Sequence, residues 1–433
     1  MTTIIRPTHR IGGEVSLPPD KSIAHRAALL SALADGTSRI INYPDSADPL
    51  STLDCLRALG VAINADEDVL VVEGRGLEGL AAPDAPLDCG NSGTTMRLLA
   101  GILAGQSFDS TLIGDASLMG RPMTRIANPL RRMGAGLELA GTLPPIRISG
   151  GSALQAIEYE LPVASAQVKS CVLLAGLFAE GETVVLERKP SRDHTERMLG
   201  LSTFDDGSIR RIAIEGGHRI PPGTWTVPAD FSAAAFFIVA GLIVGEGELV
   251  LRDVGMNPSR TALLDVLRAM GGDITITNEH EEGGEPVADL LVKPSQLNGI
   301  AVGGDIIPNL IDEIPILAVA ASVAEGPTEV READELRVKE SDRISTLVQN
   351  MTALGAKVTE YEDGFRIEGS HSLRGARVDS FHDHRMAMAM GVAGLIAEGE
   401  TEVVGADCAA ISFPRFWDVL GNVAEGSVST LSP

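Results

Sequence analysis

Lysine is scarce in this chain: Lys21, Lys169, Lys189, Lys293, Lys339 and Lys357 are the whole set, although lysine and arginine together number 35. A lysine inside a motif is therefore less often there by chance. Aromatic residues make up only 3% of the 433 residues, and 59 acidic side chains leave a formal net charge of −24. Such a chain offers neither the extended basic surface nor the stacking platforms that polynucleotides require, so nucleic acid is excluded as a partner. The four cysteines, Cys55, Cys89, Cys171 and Cys408, are far apart and form no Cys-x-x-Cys pair. That argues against a zinc site and a disulfide framework, and leaves four structural thiols of a reducing compartment. Long apolar runs are missing too: Phe231 to Gly245 and Ile314 to Ala324 fall short of the ~20 residues a bilayer span needs, and read as buried helices. No membrane partner is expected. The start, MTTIIRPTHRIGGE, lacks the charged-then-apolar run of a secretory signal, so the expected location is the cytoplasm. The acid-rich, lysine-poor composition points to a salty one.

What is present is glycine in a pattern. A Leu or Met followed by glycine at the end of a helix-like stretch recurs at Gly60, Gly134, Gly200, Gly271, Gly355 and Gly421. A second series, Gly36, Gly105, Gly181, Gly247, Gly326 and Gly399, closes apolar helical runs that lead into strand-like segments such as ETVVLE, GELVLR and ETEVVG. Helix C-cap glycines feeding strands explain both series. Twelve in alternation imply six α/β units and two domains of three units each. The stretch Gly223 to Asp230, a Pro/Gly-rich turn before an apolar helix, marks the dividing point.

Polar motifs sit at the edges of these helical runs. LPPDKSIAHRAALLSAL reads as a strand, a Pro-Pro turn and a helix opening at or beside Ser22, with Lys21 and Arg26 at its positive end. Such an end suits an anion, although a plain solvated cap has the same signature. GNSGTTMRLL places Gly90, Asn91, Ser92, Gly93, Thr94 and Thr95 before an apolar helix carrying Arg97. It forms a candidate backbone nest but not a Walker A loop. GDASLMGRPMTR brings Arg121 and Arg125, ASAQVKSCVLLAG brings Ser165, Gln167 and Lys169, and SRDHTE brings Ser191, Arg192 and His194. In the second half, IDEIPILAVAA carries Asp312 and Glu313, LRVKESDR gathers Lys339, Glu340, Asp342 and Arg343, and DHRMAM carries Asp383, His384 and Arg385 ahead of a Met/Ala stripe read as core. Arg385 would repel a cation, so His382, Asp383 and His384 are not taken as metal ligands. One cleft between two domains, binding a substrate with more than one anionic group, would explain cations and carboxylates drawn from both halves.

These motifs, in this order from about residue 10 to residue 416, resemble those of the 5-enolpyruvylshikimate-3-phosphate (EPSP) synthase family, nearer its second class. The resemblance implies an α/β fold of two similar domains, each of three βαβαββ units around a pseudo-threefold axis, with the active site in the interdomain cleft. The domains expected are residues 18–228, and residues 1–17 plus 229–433. The implied reaction transfers the carboxyvinyl group of phosphoenolpyruvate to the 5-hydroxyl of shikimate 3-phosphate, releasing phosphate by addition and then elimination. It implies no metal, no organic cofactor and a monomer. Carried over by motif, Lys21, Ser22, Arg26, Ser165, Ala166, Gln167, Arg192, Asp312 and Lys339 would hold shikimate 3-phosphate. Lys21, Gly93, Arg121, Gln167, Arg343 and Arg385 would hold phosphoenolpyruvate. Asp312 would accept the hydroxyl proton, Glu340 would exchange protons with the methylene carbon, Lys21 would act beside them, and His384 would take a lesser part.

The chain departs from the family's pattern at several points. Ala410 to Pro414 lacks the lysine that many members carry, so the remaining cations must hold the leaving phosphate. Ala166 stands where a serine is common, and Arg192 is the residue placed to compensate. Gly93 is kept where resistant second-class members have alanine, which implies that glyphosate still binds in room that a methyl group would fill. Leu98, often proline elsewhere, is a further difference. The sister transferase acting on UDP-N-acetylglucosamine is disfavoured, because the Asp115 to Pro122 loop lacks its cysteine and Ser22 replaces an asparagine. A non-catalytic anion-binding protein is disfavoured because it has little use for carboxylates beside anions.

Overall fold

The computed structural model describes residues 1–66, 69–370 and 372–431. The chain divides into two compact units. The N-half unit comprises Pro19–Val227 and Glu282–Glu285; the C-half unit comprises Met1–Pro18, Pro228–Glu281 and Pro286–Pro433.

Among the described residues the strands form six four-stranded sheets, three in each unit. Each begins with a parallel pair whose second member turns antiparallel to a third strand. In the N-half unit, Glu158–Glu160 lies parallel to Glu182–Glu187, which pairs antiparallel with Arg210–Glu215. The C-half unit repeats this with Ala301–Val302, Pro327–Val330 and Gly364–Glu368. Its N-terminal segment supplies two strands: Thr2–Ile5 lies between Thr401–Val404 and Val428–Leu431, and Gly13–Val15 pairs with Leu249–Leu251. Chain ends thus complete sheets begun elsewhere in the sequence.

Three helices are buried almost all round in each core. In the N-half unit they are Lys21–Leu33, Gly93–Leu103 and Ala166–Gly176; in the C-half unit, Phe231–Ile243, Ile314–Val323 and His384–Gly394. A helix apolar on every side shows water little but its ends. The Met/Ala stripe of the last of these, Met386 to Met390, is core. All four cysteines are free and buried.

The glycine pattern holds with two exceptions. Ten of the twelve glycines have positive φ, the conformation glycine tolerates best. Gly421 instead lies inside the Phe416–Val423 helix, and Gly426, with φ of 79°, makes that turn. Gly105 is also outside the positive-φ set; a Cβ there would lie 2.2 Å from the Phe178 ring, so its smallness serves packing rather than the turn.

Candidate active site

Five of the six buried helices are capped by their own sequence. Asp20, Ser92 and Ser165 accept the backbone N–H of Ile23, Thr95 and Val168; Asp230 and Asp383 accept those of Ser232 and Arg385. The first helix opens at Lys21, beside Ser22 as expected, because Asp20 is the cap. Lys21, Ser22, Arg26, Gly93, Ser165, Ala166, Gln167 and Arg385 sit at or within two turns of these N-termini, where the remaining N–H groups and the dipole favour anions, and Arg343 opens a further helix, Arg343–Ala353.

In the N-half unit Lys21 Nζ is 2.9 Å from Asp48 Oδ2, with both side chains largely buried. Arg26, one turn on, donates to Thr195 Oγ1 at 2.7 Å, Ser170 Oγ at 2.9 Å and the Ser22 carbonyl at 2.8 Å. Burial lowers its pKa to about 10, against the pull of Glu196, and Arg192 is near enough to lower it further. Around Gly93, Arg97 Nη1 donates to Gln167 Oε1 at 2.5 Å and Gln167 Nε2 donates to Thr94 Oγ1 at 2.9 Å. Arg121 Nη2 reaches Asn91 Oδ1 at 2.9 Å. The Ser165 hydroxyl caps its own helix, leaving Ala166 as the first helical residue. A Cβ at Gly93 would lie 2.6 Å from Arg97 Nη1 and 3.4 Å from Arg121 Nη1, the ends of two long side chains, so the room there depends on where those guanidinium groups sit.

Beneath the SRDHTE motif, Lys169 is fully buried, 3.0 and 3.1 Å from the Glu187 oxygens and 2.7 Å from Glu196. Ser191 donates to Glu187 at 2.8 Å, and Lys169 also reaches the Ser191 carbonyl. His194 Nδ1 lies 2.7 Å from Glu285 Oε1 in the Glu282–Glu285 turn, with both side chains buried.

In the C-half unit Arg343 is a hub. Its guanidinium donates to Glu340 at 2.6 Å, to Asp312 at 3.3 Å and to Asp383 at 2.8 and 3.3 Å. Burial opposes its charge, but Asp383, Glu340 and Asp312 together outweigh that and raise its pKa above the ordinary arginine value. Burial likewise pushes Asp383 up, and Arg343 more than reverses it, so its pKa lies below the usual value. Asp383 also accepts from Ser341 and from the Arg385 N–H, so its carboxylate is committed to the hub. Arg385 donates to the Asp312 carbonyl at 3.2 Å, with its other terminal nitrogen 3.5 Å from the Asp312 carboxylate. His384 opens the same helix, and Lys339 lies in extended backbone just before Glu340.

The residues brought together within the N-half unit are thus Ser22, Arg26 and, by its field, Arg192 in one group, and Gly93, Arg121 and Gln167 around Arg97 in another, with Lys21 held by Asp48. Those within the C-half unit are Asp312, Glu340, Arg343 and Arg385. Sequence reading missed Asp48, which lies 27 residues from its lysine in a motif-free stretch, and gave Arg97 and Asp383 no role.

Three-unit domains of buried helices whose capped ends present cations and carboxylates define an enolpyruvyl transferase fold. NikO of Streptomyces tendae, a solved enolpyruvyl transferase, superposes with a TM-score of 0.78 over 100% of this chain and 99% of its own at 18% identity, a likeness of fold alone. Residues 5–420 match the family model described as EPSP synthase (3-phosphoshikimate 1-carboxyvinyltransferase), and the chain belongs to that family. A 3-phosphoshikimate 1-carboxyvinyltransferase of Salinibacter ruber is 60% identical over 98% of this chain and 100% of its own length. One of Citrifermentans bemidjiense is 48% identical over 97% and 99%. The solved EPSP synthase of Acinetobacter baumannii has a TM-score of 0.87 at 43% identity, covering 99% of both chains.

Proposed function

We propose that this chain transfers the enolpyruvyl group of phosphoenolpyruvate to the 5-hydroxyl of shikimate 3-phosphate, releasing phosphate, in the route to chorismate and the aromatic amino acids. The observation that carries the reading is the Arg343 hub, where one buried guanidinium spans two carboxylates, Asp312 and Glu340. Addition requires a proton to leave the 5-hydroxyl while another reaches the methylene carbon, and elimination reverses the second transfer as phosphate departs. Two carboxylates beside anion-binding cations suit that chemistry and add nothing to plain anion binding.

Asp312 accepts the hydroxyl proton and Glu340 exchanges the proton of the methylene carbon. Phosphoenolpyruvate carries two anionic groups, held by Lys21, Gly93, Arg121, Gln167, Arg343 and Arg385. As the anion takes up Arg343 donors, the hold on Glu340 loosens and the carboxyl is free to carry its proton. Ser22, Arg26, Ser165, Ala166, Gln167, Arg192, Lys339 and Lys21 hold shikimate 3-phosphate, with the Lys169–Glu187 pair fixing the Ser191 turn beside Arg192. His384 supports the hub from the helix end. The two domains of this reading are residues 18–228 and residues 1–17 plus 229–433.

The enzyme acts on small molecules as a cytoplasmic monomer, without nucleic acid or cofactor. No single helix among the described residues is long and apolar enough to cross a membrane. Phosphate release that requires both substrates supports the reading; release from phosphoenolpyruvate alone, or none with both, contradicts it.

A further inference from the structure

A buried chain of hydrogen bonds that the reaction does not use runs behind the N-half cluster. His25 Nδ1 lies 2.7 Å from Thr52 Oγ1, Thr52 Oγ1 lies 2.7 Å from Thr95 Oγ1, and Thr95 Oγ1 donates to Ser92 Oγ at 2.7 Å. Ser92 Oγ also accepts the Thr95 backbone N–H at 3.1 Å. All four side chains are buried.

Counting protons gives the chain a direction. A hydroxyl has one proton, and that of Thr95 goes to Ser92, so Thr52 must donate to Thr95. Thr52 then has only lone pairs for His25, whose Nδ1 must carry the hydrogen. The imidazole is the neutral Nδ1–H form, and its buried Nε2 meets no hydrogen-bond partner among the described residues. Burial, with Lys21 and Arg26 nearby, pushes its pKa well below the ordinary histidine value, in keeping with that form.

The spacing gives the chain a purpose. Lys21 and His25 are one turn apart on the Lys21–Leu33 helix, and Asp48 and Thr52 are one turn apart on Ala47–Ala58. The Lys21–Asp48 ion pair and the His25–Thr52 hydrogen bond are therefore successive rungs between the same two helices. Thr52 then grips the Gly93–Leu103 helix in its first turn, and Thr95 closes on the cap residue that precedes Gly93.

We infer that His25, Thr52, Thr95 and Ser92 form a positioning relay that sets Lys21 and Gly93 in register for phosphoenolpyruvate. The inference rests on the reading that these two residues hold that substrate. Arg26, assigned to shikimate 3-phosphate, is anchored separately by Thr195 and Ser170. Lys21 serves both substrates, but Gly93 serves phosphoenolpyruvate alone and Arg26 keeps its own anchors, so breaking the relay weakens phosphoenolpyruvate more than shikimate 3-phosphate, a difference that a general loss of stability would not produce.

The test measures KM for each substrate, kcat and melting temperature in wild type, Thr52→Val, His25→Leu, His25→Asn and Lys21→Met. Thr52→Val keeps the shape and removes only the hydroxyl, so it covers the case in which His25→Leu does not fold. Because displacements near 1 Å are costly at such sites, Thr52→Val and His25→Leu are expected to raise KM for phosphoenolpyruvate about tenfold and that for shikimate 3-phosphate less than about twofold. An Asn amide N–H replaces Nδ1–H, so His25→Asn returns to within about threefold of wild type. Equal rises in both KM values, a lowered melting temperature with KM for phosphoenolpyruvate unchanged, or His25→Asn as poor as His25→Leu overturns the relay. Lys21→Met separates the two claims. If it raises KM for phosphoenolpyruvate while Thr52→Val does not, the relay alone is wrong; if Lys21→Met leaves KM unchanged in an active enzyme, the substrate assignment falls and the relay with it.

Discussion

Replacing Lys169 by methionine removes the only lysine in a fully buried site and leaves Glu187 and Glu196 facing each other across it. Breaking a buried ion pair from one side costs about 3–5 kcal/mol, and two stranded carboxylates favour the upper part of that range. The loss has a ceiling. A glutamate of ordinary pKa, ~4.3, takes up a proton at pH 7 for about 3.7 kcal/mol, so protonation holds the cost near 4 kcal/mol and lowers it by about 1.4 kcal/mol per pH unit on acidification. Of the other cations, Arg210 is 3.7 Å from Glu187 but partly exposed, and the buried Arg26 acts on Glu196 through its field alone.

The protein has two tryptophans, Trp225 in the N-half unit and Trp417 in the C-half unit. In a Trp417→Phe background, urea unfolding followed by the remaining tryptophan reports the unit that contains Lys169. The expected loss is about 4 kcal/mol at pH 7 and about 2.5 kcal/mol at pH 6, with KM for shikimate 3-phosphate raised as the Ser191 turn loosens. A loss below about 1 kcal/mol, or one that does not shrink on acidification, refutes the buried-charge argument.

Gly93→Ala forces Arg97 off Gln167, because the new methyl would lie 2.6 Å from its guanidinium; KM for phosphoenolpyruvate and the glyphosate inhibition constant both rise, and an unchanged pair of values counts against that geometry. Glu340→Gln lowers kcat by about 10²–10⁴ and stops deuterium entering the methylene group from heavy water, whereas Asp312→Asn lowers kcat by a similar factor through the hydroxyl proton. Asp383 has a folded pKa below its unfolded one, so its contribution is present above about pH 4 and is lost as pH falls through the folded value. Asp383→Asn, read by Trp417 in a Trp225→Phe background, therefore destabilises the C-half unit at pH 7, and the difference from wild type closes below about pH 4. Cys171, whose thiol burial lifts to about 12, stays unlabelled by thiol reagents until the chain unfolds; rapid labelling of the native enzyme contradicts its burial.

Much of this was readable in advance because the chemistry is placed at helix ends, and helix ends are written locally. Ser92, Ser165 and Asp383 cap helices within three residues of the side chains they present, so the motifs and their anion-binding character appear together in sequence. The first helix start was legible only to within a residue, because Asp20, behind the Pro-Pro turn, competes with Ser22 as the cap. Contacts across sequence left no such trace. Asp48 reaches Lys21 and Thr52 reaches His25 from a helix with no motif of its own, and Glu285 reaches His194 across 91 residues. The guanidinium groups bordering Gly93 are invisible in sequence because a glycine shows only its missing side chain, and Arg97 sits a turn away. Gly421 imitated a cap by its Leu-Gly pair, but the helix runs on through it to Val423.

The most direct test of the account is acceptor-dependent phosphate release by the purified chain, assayed with phosphoenolpyruvate plus either shikimate 3-phosphate or UDP-N-acetylglucosamine, at low and at molar salt. The account predicts release with the shikimate ester alone, abolished in Asp312→Asn and Glu340→Gln. Release with the nucleotide sugar, or with neither acceptor at both salt concentrations, would contradict it.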